Sequence, residues 1–217
     1  MQTAVRLSQG GTRGGYGGDV RLSHVFDSNS LKQIYFENFG DRVLAENKNI
    51  TTLLWKDSMR ITNYMLKSGI NPGEIANKVP GIKFLVPIRN PIDCAVSNIK
   101  TGHDRHLIPQ NDINEETVIY RILDLLRWFD DQSRIAPDSF FFFTEREMNN
   151  ETAKKMCQFI GIEYRNYWGN SILDNLNIRS GYSHNRMVKA SYKEMIKNIF
   201  SVKNPIREKL LELEEGE

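Results

Sequence analysis

The sequence contains few cysteines and no long apolar segment. Two cysteines among 217 residues, Cys94 and Cys157, are too few for a disulfide framework and are typical of a protein from a reducing compartment. No apolar run approaches the roughly 20 residues that a membrane-spanning helix needs. The first residues, MQTAVRLSQGG, lack the apolar core of a secretory signal. We therefore expect a cytoplasmic protein without a membrane span.

A large net charge is also absent. The chain has 29 basic and 27 acidic residues, and this balance argues against a nucleic acid as its partner. The four histidines have no metal-ligand spacing relative to the cysteines, so we expect no metal site. An anion would therefore be bound by a local group of residues rather than by the surface as a whole.

The sequence does contain an alternation of apolar strands and amphipathic helices. Its composition, 40% hydrophobic and 26% charged, is that of an ordinary globular domain. Short apolar or β-branched runs predict four strands, at Thr3–Leu7, Ile50–Trp55, Ile82–Ile88 and Phe140–Thr144. The last three are apolar on both faces, as in a parallel sheet covered by helices. Pro87 disfavours a central position for its strand or marks a strand end. We predict one α/β domain over residues 1–217, with a central, mostly parallel sheet flanked by helices.

Capping residues and helical periodicity predict the helices between these strands. The longest, Glu115–Ile135, carries apolar residues at helical spacing. The others are Leu31–Phe39, a helix from Ser58 to Gly69, one beginning at Asn90-Pro91, one from Asn150 to Gly161, and one beginning at Asn204-Pro205.

A glycine-rich segment follows the first predicted strand. Six of the 15 glycines lie within Gly10–Gly18. Glycines let the backbone turn sharply and bring its N–H groups close to an anion. As a Walker loop, however, the segment has Tyr16 and Gly17 where lysine and a serine or threonine are needed, which disfavours a nucleotide kinase. Arg13 can supply the missing positive charge. The alternative is a flexible terminus in which Arg13 is merely solvated.

A second candidate site lies at the end of the strand Ile82–Ile88. This strand delivers Arg89 to its carboxyl end, where α/β proteins bind their ligands. Asn90 is placed to cap the next helix, and Ser97 lies two turns into that helix. An arginine beside a helix N-terminus suits a phosphate group. The alternative is that Arg89 pairs with Asp93 and that Ser97 faces solvent.

Residues 89–97, RNPIDCAVS, resemble the 3′-phosphate-binding motif of the sulfotransferases that use 3′-phosphoadenosine 5′-phosphosulfate (PAPS). The resemblance implies a P-loop-NTPase-like three-layer fold with PAPS as the co-substrate, and it places Arg89 and Ser97 on the 3′-phosphate of the nucleotide. It also implies transfer of a sulfuryl group to a hydroxyl or amine of a carbohydrate or small metabolite, without a metal.

Further segments are similar to the same family. Residues 52–61 resemble its Lys-Asp-Pro-Arg strand end, and residues 204–213 resemble its closing helix. Residues 140–161 resemble a strand, a Tyr-Glu-Asp-Leu turn and the following helix, with Thr144 and Arg146 replacing the tyrosine and the aspartate.

Two loops depart from the family pattern. The best fit of the 5′-phosphosulfate loop puts Arg13 at the basic position, followed by Gly14, Gly15, Tyr16 and Gly17, and so loses the Ser/Thr hydroxyls. Another register aligns Gly11-Thr12 with the family's Gly-Thr pair but leaves Gln9 at the basic position. A second loop, Arg179, Ser180 and Gly181, resembles an Arg-Lys-Gly loop that also reaches the 3′-phosphate, with Ser180 in place of lysine.

Sulfuryl transfer requires positive groups around the transferred group and the leaving phosphate. By the resemblance, Arg13 and Lys56 would stabilise the phosphosulfate, and Arg179 would assist at the 3′-phosphate. A general base must take the proton of the acceptor hydroxyl. The candidates are Asp57, His103 and His106. Asp57 can instead cap a helix, and a loop histidine is often only exposed. The altered glycine loop keeps open a non-catalytic nucleotide-binding protein as the second interpretation.

Overall fold

The computed structural model describes residues 59–103, 112–166, 170 and 186–215. The chain divides into two units, Met1–Tyr64 and Met65–Glu217, and the first contributes only residues 59–64 to the described part. The described helices are α1 (Met59–Lys67), α2 (Pro72–Lys78), α3 (Pro91–Thr101), α4 (Glu115–Ile135), α5 (Asn150–Ile160), α6 (Arg186–Ile199) and α7 (Pro205–Glu215). The described strands are β1 (Phe84–Ile88) and β2 (Phe140–Thr144), and a 3₁₀ turn (Pro137–Ser139) precedes β2. That the whole chain is one domain stays a prediction.

The two strands form a parallel sheet, which confirms an α/β architecture for this part of the chain. Pairing runs in register from Phe84 opposite Phe140 to Ile88 opposite Thr144. The Phe84 and Phe140 rings stack with their centroids 4.8 Å apart. Pro87 is exposed and lies opposite Phe143. The predicted strands Thr3–Leu7 and Ile50–Trp55 and the predicted helix Leu31–Phe39 lie outside the described residues.

Helix α4 lies at the centre of the core of the second unit, where it packs against α2, α3 and α6. Its apolar face is fully buried at Val118, Ile119 and Leu123, and each such side chain stabilises the fold by about 1.5–3 kcal/mol. The helix begins with a capping box, in which the Asn114 side chain accepts from the Thr117 N–H at 2.9 Å. The predicted bounds of α4 are confirmed.

Left-handed glycines end three of the helices. Gly69, Gly102 and Gly161 have φ of +64°, +71° and +76°, a conformation that an L side chain rarely adopts. The predicted helix ends at Gly69 and Gly161 are thereby confirmed. Within the described ranges, no helix is long and apolar enough to cross a membrane.

Helix α7 packs against α6 and β2. Its buried face includes Ile206 and Leu210, and the buried Tyr192 hydroxyl of α6 donates to the Leu210 carbonyl at 3.1 Å. Asn204 opens α7, since its Oδ1 accepts from the Ile206 N–H at 2.8 Å. Its Nδ2 donates to the buried Asp130 carboxylate of α4 at 2.7 Å. One asparagine therefore both caps α7 and attaches it to the core helix.

Candidate functional site

The carboxyl ends of the two strands bring Arg89 and Glu145 together. Because β1 and β2 are parallel and in register, the residues that follow Ile88 and Thr144 are neighbours at one sheet edge. The Glu145 N–H donates to the Ile88 carbonyl at 3.3 Å and extends the pairing by one step. Arg89 thus lies at the carboxyl edge, the place where the sequence locates a ligand site.

Arg89 forms an ion pair with Glu145. Its Nε donates to Glu145 Oε2 at 3.0 Å. The arginine side chain is 53% exposed, whereas the carboxylate side chain is only 16% exposed. The ion pair is therefore with Glu145 rather than with Asp93, the partner considered from the sequence.

Within the described part of the chain, the far end of the Arg89 guanidinium is left open. Among the described residues, no hydrogen bond engages its terminal nitrogens Nη1 and Nη2. Burial by itself lowers the pKa of Arg89, but the charges of Cys94, Glu145 and Asp93 and the hydrogen bond to Glu145 outweigh it and raise the pKa. The group therefore stays positively charged and presents two parallel donors, the geometry that suits a phosphate or a carboxylate.

Asn90 connects three elements at this edge, and its side chain is almost fully buried, at 3% exposure. Its Oδ1 accepts from the Ile92 N–H at 3.0 Å and caps α3. Its backbone N–H donates to Glu145 Oε1 at 3.3 Å, beyond the end of β2. Its Nδ2 donates to the Leu213 carbonyl of α7 at 3.4 Å. The start of α3 is thus fixed by both β2 and α7.

The turn that carries Glu145 is also anchored on α7. Within the turn, the Thr144 N–H donates to Glu147 Oε2 at 2.7 Å. Lys209 of α7 forms an ion pair with Glu147, and Arg146 Nη1 donates to the Glu212 carbonyl at 2.7 Å. Burial alone would raise the pKa of Glu147, but Lys209 and the Thr144 amide outweigh it and lower the pKa. These contacts hold the backbone at Glu145 in one position.

Positions 90, 94 and 97 share one face of α3, because residues three and four apart are neighbours on a helix. Cys94 is near enough to Arg89 for each to alter the pKa of the other. Burial, with help from Glu145 and Asp93, raises the pKa of Cys94 to about 11, although Arg89 lowers it. The thiol is therefore protonated at neutral pH and is not a nucleophile there. Ser97 is partly buried and lies one turn beyond Cys94 on this face.

His103 lies at the other end of α3 from Arg89. Its backbone N–H donates to the Asn98 carbonyl at 3.0 Å, and its exposed ring has Nδ1 3.1 Å from Thr101 Oγ1. The 11 residues of α3 span about 16 Å, so the structure does not bring His103 and Arg89 together. The other proposed site residues lie outside the described residues: Arg13, Gly14, Gly15, Tyr16, Gly17, Lys56, Asp57, His106, Arg179, Ser180 and Gly181.

Glu145 is the site residue that the sequence reasoning missed. The sequence contains a signal for it, since Glu145 follows β2 directly, just as Arg89 follows β1. Using that signal requires knowing that the two strands are paired without an offset.

Among the described residues, no group of three or more histidines, cysteines or carboxylates could hold a metal ion. No protein-family model matches the chain, and neither a curated protein nor a solved structure matches it.

Proposed function

We propose that the protein is a sulfotransferase with a P-loop-NTPase-like fold, which moves a sulfuryl group from PAPS to a hydroxyl or amine of a carbohydrate or small metabolite. The observation that carries the proposal is the position of Arg89. It is a half-exposed arginine whose two terminal nitrogens are engaged by none of the described residues, at the carboxyl end of a parallel strand and beside the capped start of α3. This arrangement suits a phosphate dianion.

In this proposal the 3′-phosphate of the nucleotide binds at the start of α3. The terminal nitrogens of Arg89 bind two phosphate oxygens in parallel, and the Ser97 hydroxyl donates to a further oxygen. The positive end of the α3 dipole adds a favourable interaction. Arg179, Ser180 and Gly181 complete the binding of this phosphate.

The reacting end of PAPS is assigned to the preceding part of the chain. Arg13, with the backbone of Gly14, Gly15, Tyr16 and Gly17, binds the 5′-phosphosulfate. An acceptor oxygen forms a bond to sulfur while the bond from sulfur to the phosphate oxygen breaks, and 3′,5′-adenosine bisphosphate leaves.

Lys56 stabilises the charge that develops on the leaving phosphate. The acceptor proton passes to Asp57 or His103 as general base. We favour Asp57, because it directly follows Lys56 in the chain.

The first test is calorimetric titration with 3′,5′-adenosine bisphosphate. We expect micromolar binding by the wild type and a loss of about 30- to 100-fold in Arg89→Ala, which removes a charge-assisted pair of hydrogen bonds. Arg127→Ala is the matched control, because Arg127 is also paired with a carboxylate and is 49% exposed, but it lies on α4. Failure of the wild type to bind, or equal losses in both variants, would exclude this site.

The second test is an acceptor screen with labelled PAPS. Loss of the general base lowers turnover about 10²- to 10⁴-fold with little change in nucleotide affinity. Full turnover in both Asp57→Asn and His103→Ala would remove these two assignments. Nucleotide binding without transfer to any acceptor would identify a non-catalytic binding protein, and magnesium-dependent turnover of ATP would identify a kinase.

A further inference from the structure

We infer that Glu145 is a positioning residue, which orients the Arg89 guanidinium for the phosphate and makes the site select a 3′-phosphorylated nucleotide. The inference rests on the proposed function, since it concerns the same phosphate. Its evidence is the way in which one carboxylate bridges two adjacent residues. Glu145 Oε2 accepts from Arg89 Nε, and Oε1 accepts from the Asn90 backbone N–H.

The bridge restricts the Arg89 side chain. A guanidinium is planar, so holding its Nε fixes the plane in which the terminal nitrogens lie. An arginine that is half exposed would otherwise sample many rotamers and lose that freedom when a ligand binds. Because Glu145 occupies Nε and leaves the terminal nitrogens unengaged, it orders the side chain without blocking the two donors that a phosphate needs.

Glu145 is itself held in place. Its side chain is mostly buried, and its backbone N–H continues the β1–β2 pairing. The turn that follows it is anchored on α7 by Arg146 and Lys209. A carboxylate fixed in this way can restrict the orientation of a flexible arginine. A mobile carboxylate would move together with the arginine and would not restrict it.

The test measures selectivity as well as affinity. Wild type, Glu145→Gln, Arg89→Ala and the double variant are titrated with 3′,5′-adenosine bisphosphate and with adenosine 5′-monophosphate, which lacks the 3′-phosphate. Glutamine keeps the shape of glutamate, but its NH₂ group cannot accept a hydrogen bond. It can therefore accept from Arg89 or from the Asn90 amide through its one oxygen, but it cannot form the two-oxygen bridge.

We expect Glu145→Gln to weaken bisphosphate binding about three- to tenfold, the cost of ordering one long side chain on binding. Monophosphate binding should not change, and the substitution should have no further effect when Arg89 is already alanine. Asp124→Asn is the control, because Asp124 is also a carboxylate paired with arginine, but it lies on α4. A merely structural role would weaken both nucleotides and would persist in the Arg89→Ala background.

Three results would overturn the inference while the proposed function stands. These are unchanged or tighter bisphosphate binding by Glu145→Gln, an equal loss for the monophosphate, or an effect that adds to that of Arg89→Ala. If the wild type does not prefer the bisphosphate, the proposed function fails and this inference with it. If Glu145→Gln does not fold, Glu145→Asp replaces it, because aspartate keeps the charge but is one methylene shorter, which should disturb the two-oxygen bridge.

Discussion

The helix caps Asn90 and Asn204 permit a quantitative test of the structure. Both asparagines precede the sequence Pro-Ile, both are buried, and each accepts from the N–H two residues ahead. They differ in what the side-chain NH₂ group donates to. Asn90 donates to the Leu213 carbonyl at 3.4 Å, whereas Asn204 donates to the Asp130 carboxylate at 2.7 Å.

Substitution of each asparagine by alanine should therefore cost different amounts. Loss of the cap costs about 1 kcal/mol at either position. Asn90→Ala also leaves a neutral carbonyl without this donor, which should lower the free energy of unfolding by about 1 kcal/mol more. Asn204→Ala instead removes a hydrogen bond to a charged group, which should lower it by about 1.5–3 kcal/mol more. The expected totals are about 2 kcal/mol for Asn90→Ala and about 2.5–4 kcal/mol for Asn204→Ala.

Urea unfolding followed by circular dichroism measures both losses, provided that the slope with denaturant is unchanged. Asn204→Asp adds a sharper comparison, because it places a second carboxylate at the position that now donates to Asp130. It should be less stable than Asn204→Ala near neutral pH. Equal losses in the two alanine variants, or a smaller loss in Asn204→Asp than in Asn204→Ala, would refute the reasoning.

Two further predictions concern packing and pH. Gly73→Ala should lower the free energy of unfolding by about 1–3 kcal/mol in a urea titration, because its Cβ would lie 2.5 Å from the Gln132 carbonyl oxygen. If the variant unfolded at the same urea concentration as the wild type, α2 and α4 would not be this close. Burial raises the pKa of Cys94 to about 11, so the folded state retains a proton that the unfolded state releases near pH 9. The protonated thiol therefore contributes its full stabilisation below pH 9. As the pH rises to about 11, the free energy of unfolding falls by about 2–3 kcal/mol. The free energy of unfolding of Cys94→Ala should not show this fall with pH. If the stabilities of wild type and variant changed in parallel between pH 8 and 11, the prediction would be wrong.

The sequence predicted those elements whose signal is local. The run of phenylalanines predicted β2, and the long apolar periodicity predicted α4, both with the observed bounds. Strand β1 begins at Phe84, two residues after the predicted start. The Asn-Pro pairs located the starts of α3 and α7, because a capping side chain and a first-turn proline act within one turn.

The missed elements depend on distant contacts. Helix α2 is short and contains Gly73, whose N–H donates to the Gln132 side chain of α4 at 3.3 Å. Helix α6, which the sequence analysis did not predict, buries Tyr192 and Ile196 against other helices. Packing, rather than local preference, accounts for both helices.

For the candidate site, the positions of Arg89 and Ser97 could be predicted because they depend on one strand and the helix after it. The partnership of Arg89 with Glu145 could not, since it depends on the register between strands 56 residues apart. The roles of these residues stay predictions.

The contact between Asn90 and Leu213 has a consequence for the order of folding. The two residues are 123 positions apart in the chain, and closing a loop of that length costs about 4 kcal/mol of chain entropy beyond a constant. The contact between Asn90 and Ile92, in contrast, forms within one turn. We therefore expect α3 to acquire its cap early, while α7 docks only after the intervening elements have folded. Until then the turn at Glu145 lacks its anchors on α7, so the surroundings of Arg89 reach their final geometry among the last steps of folding.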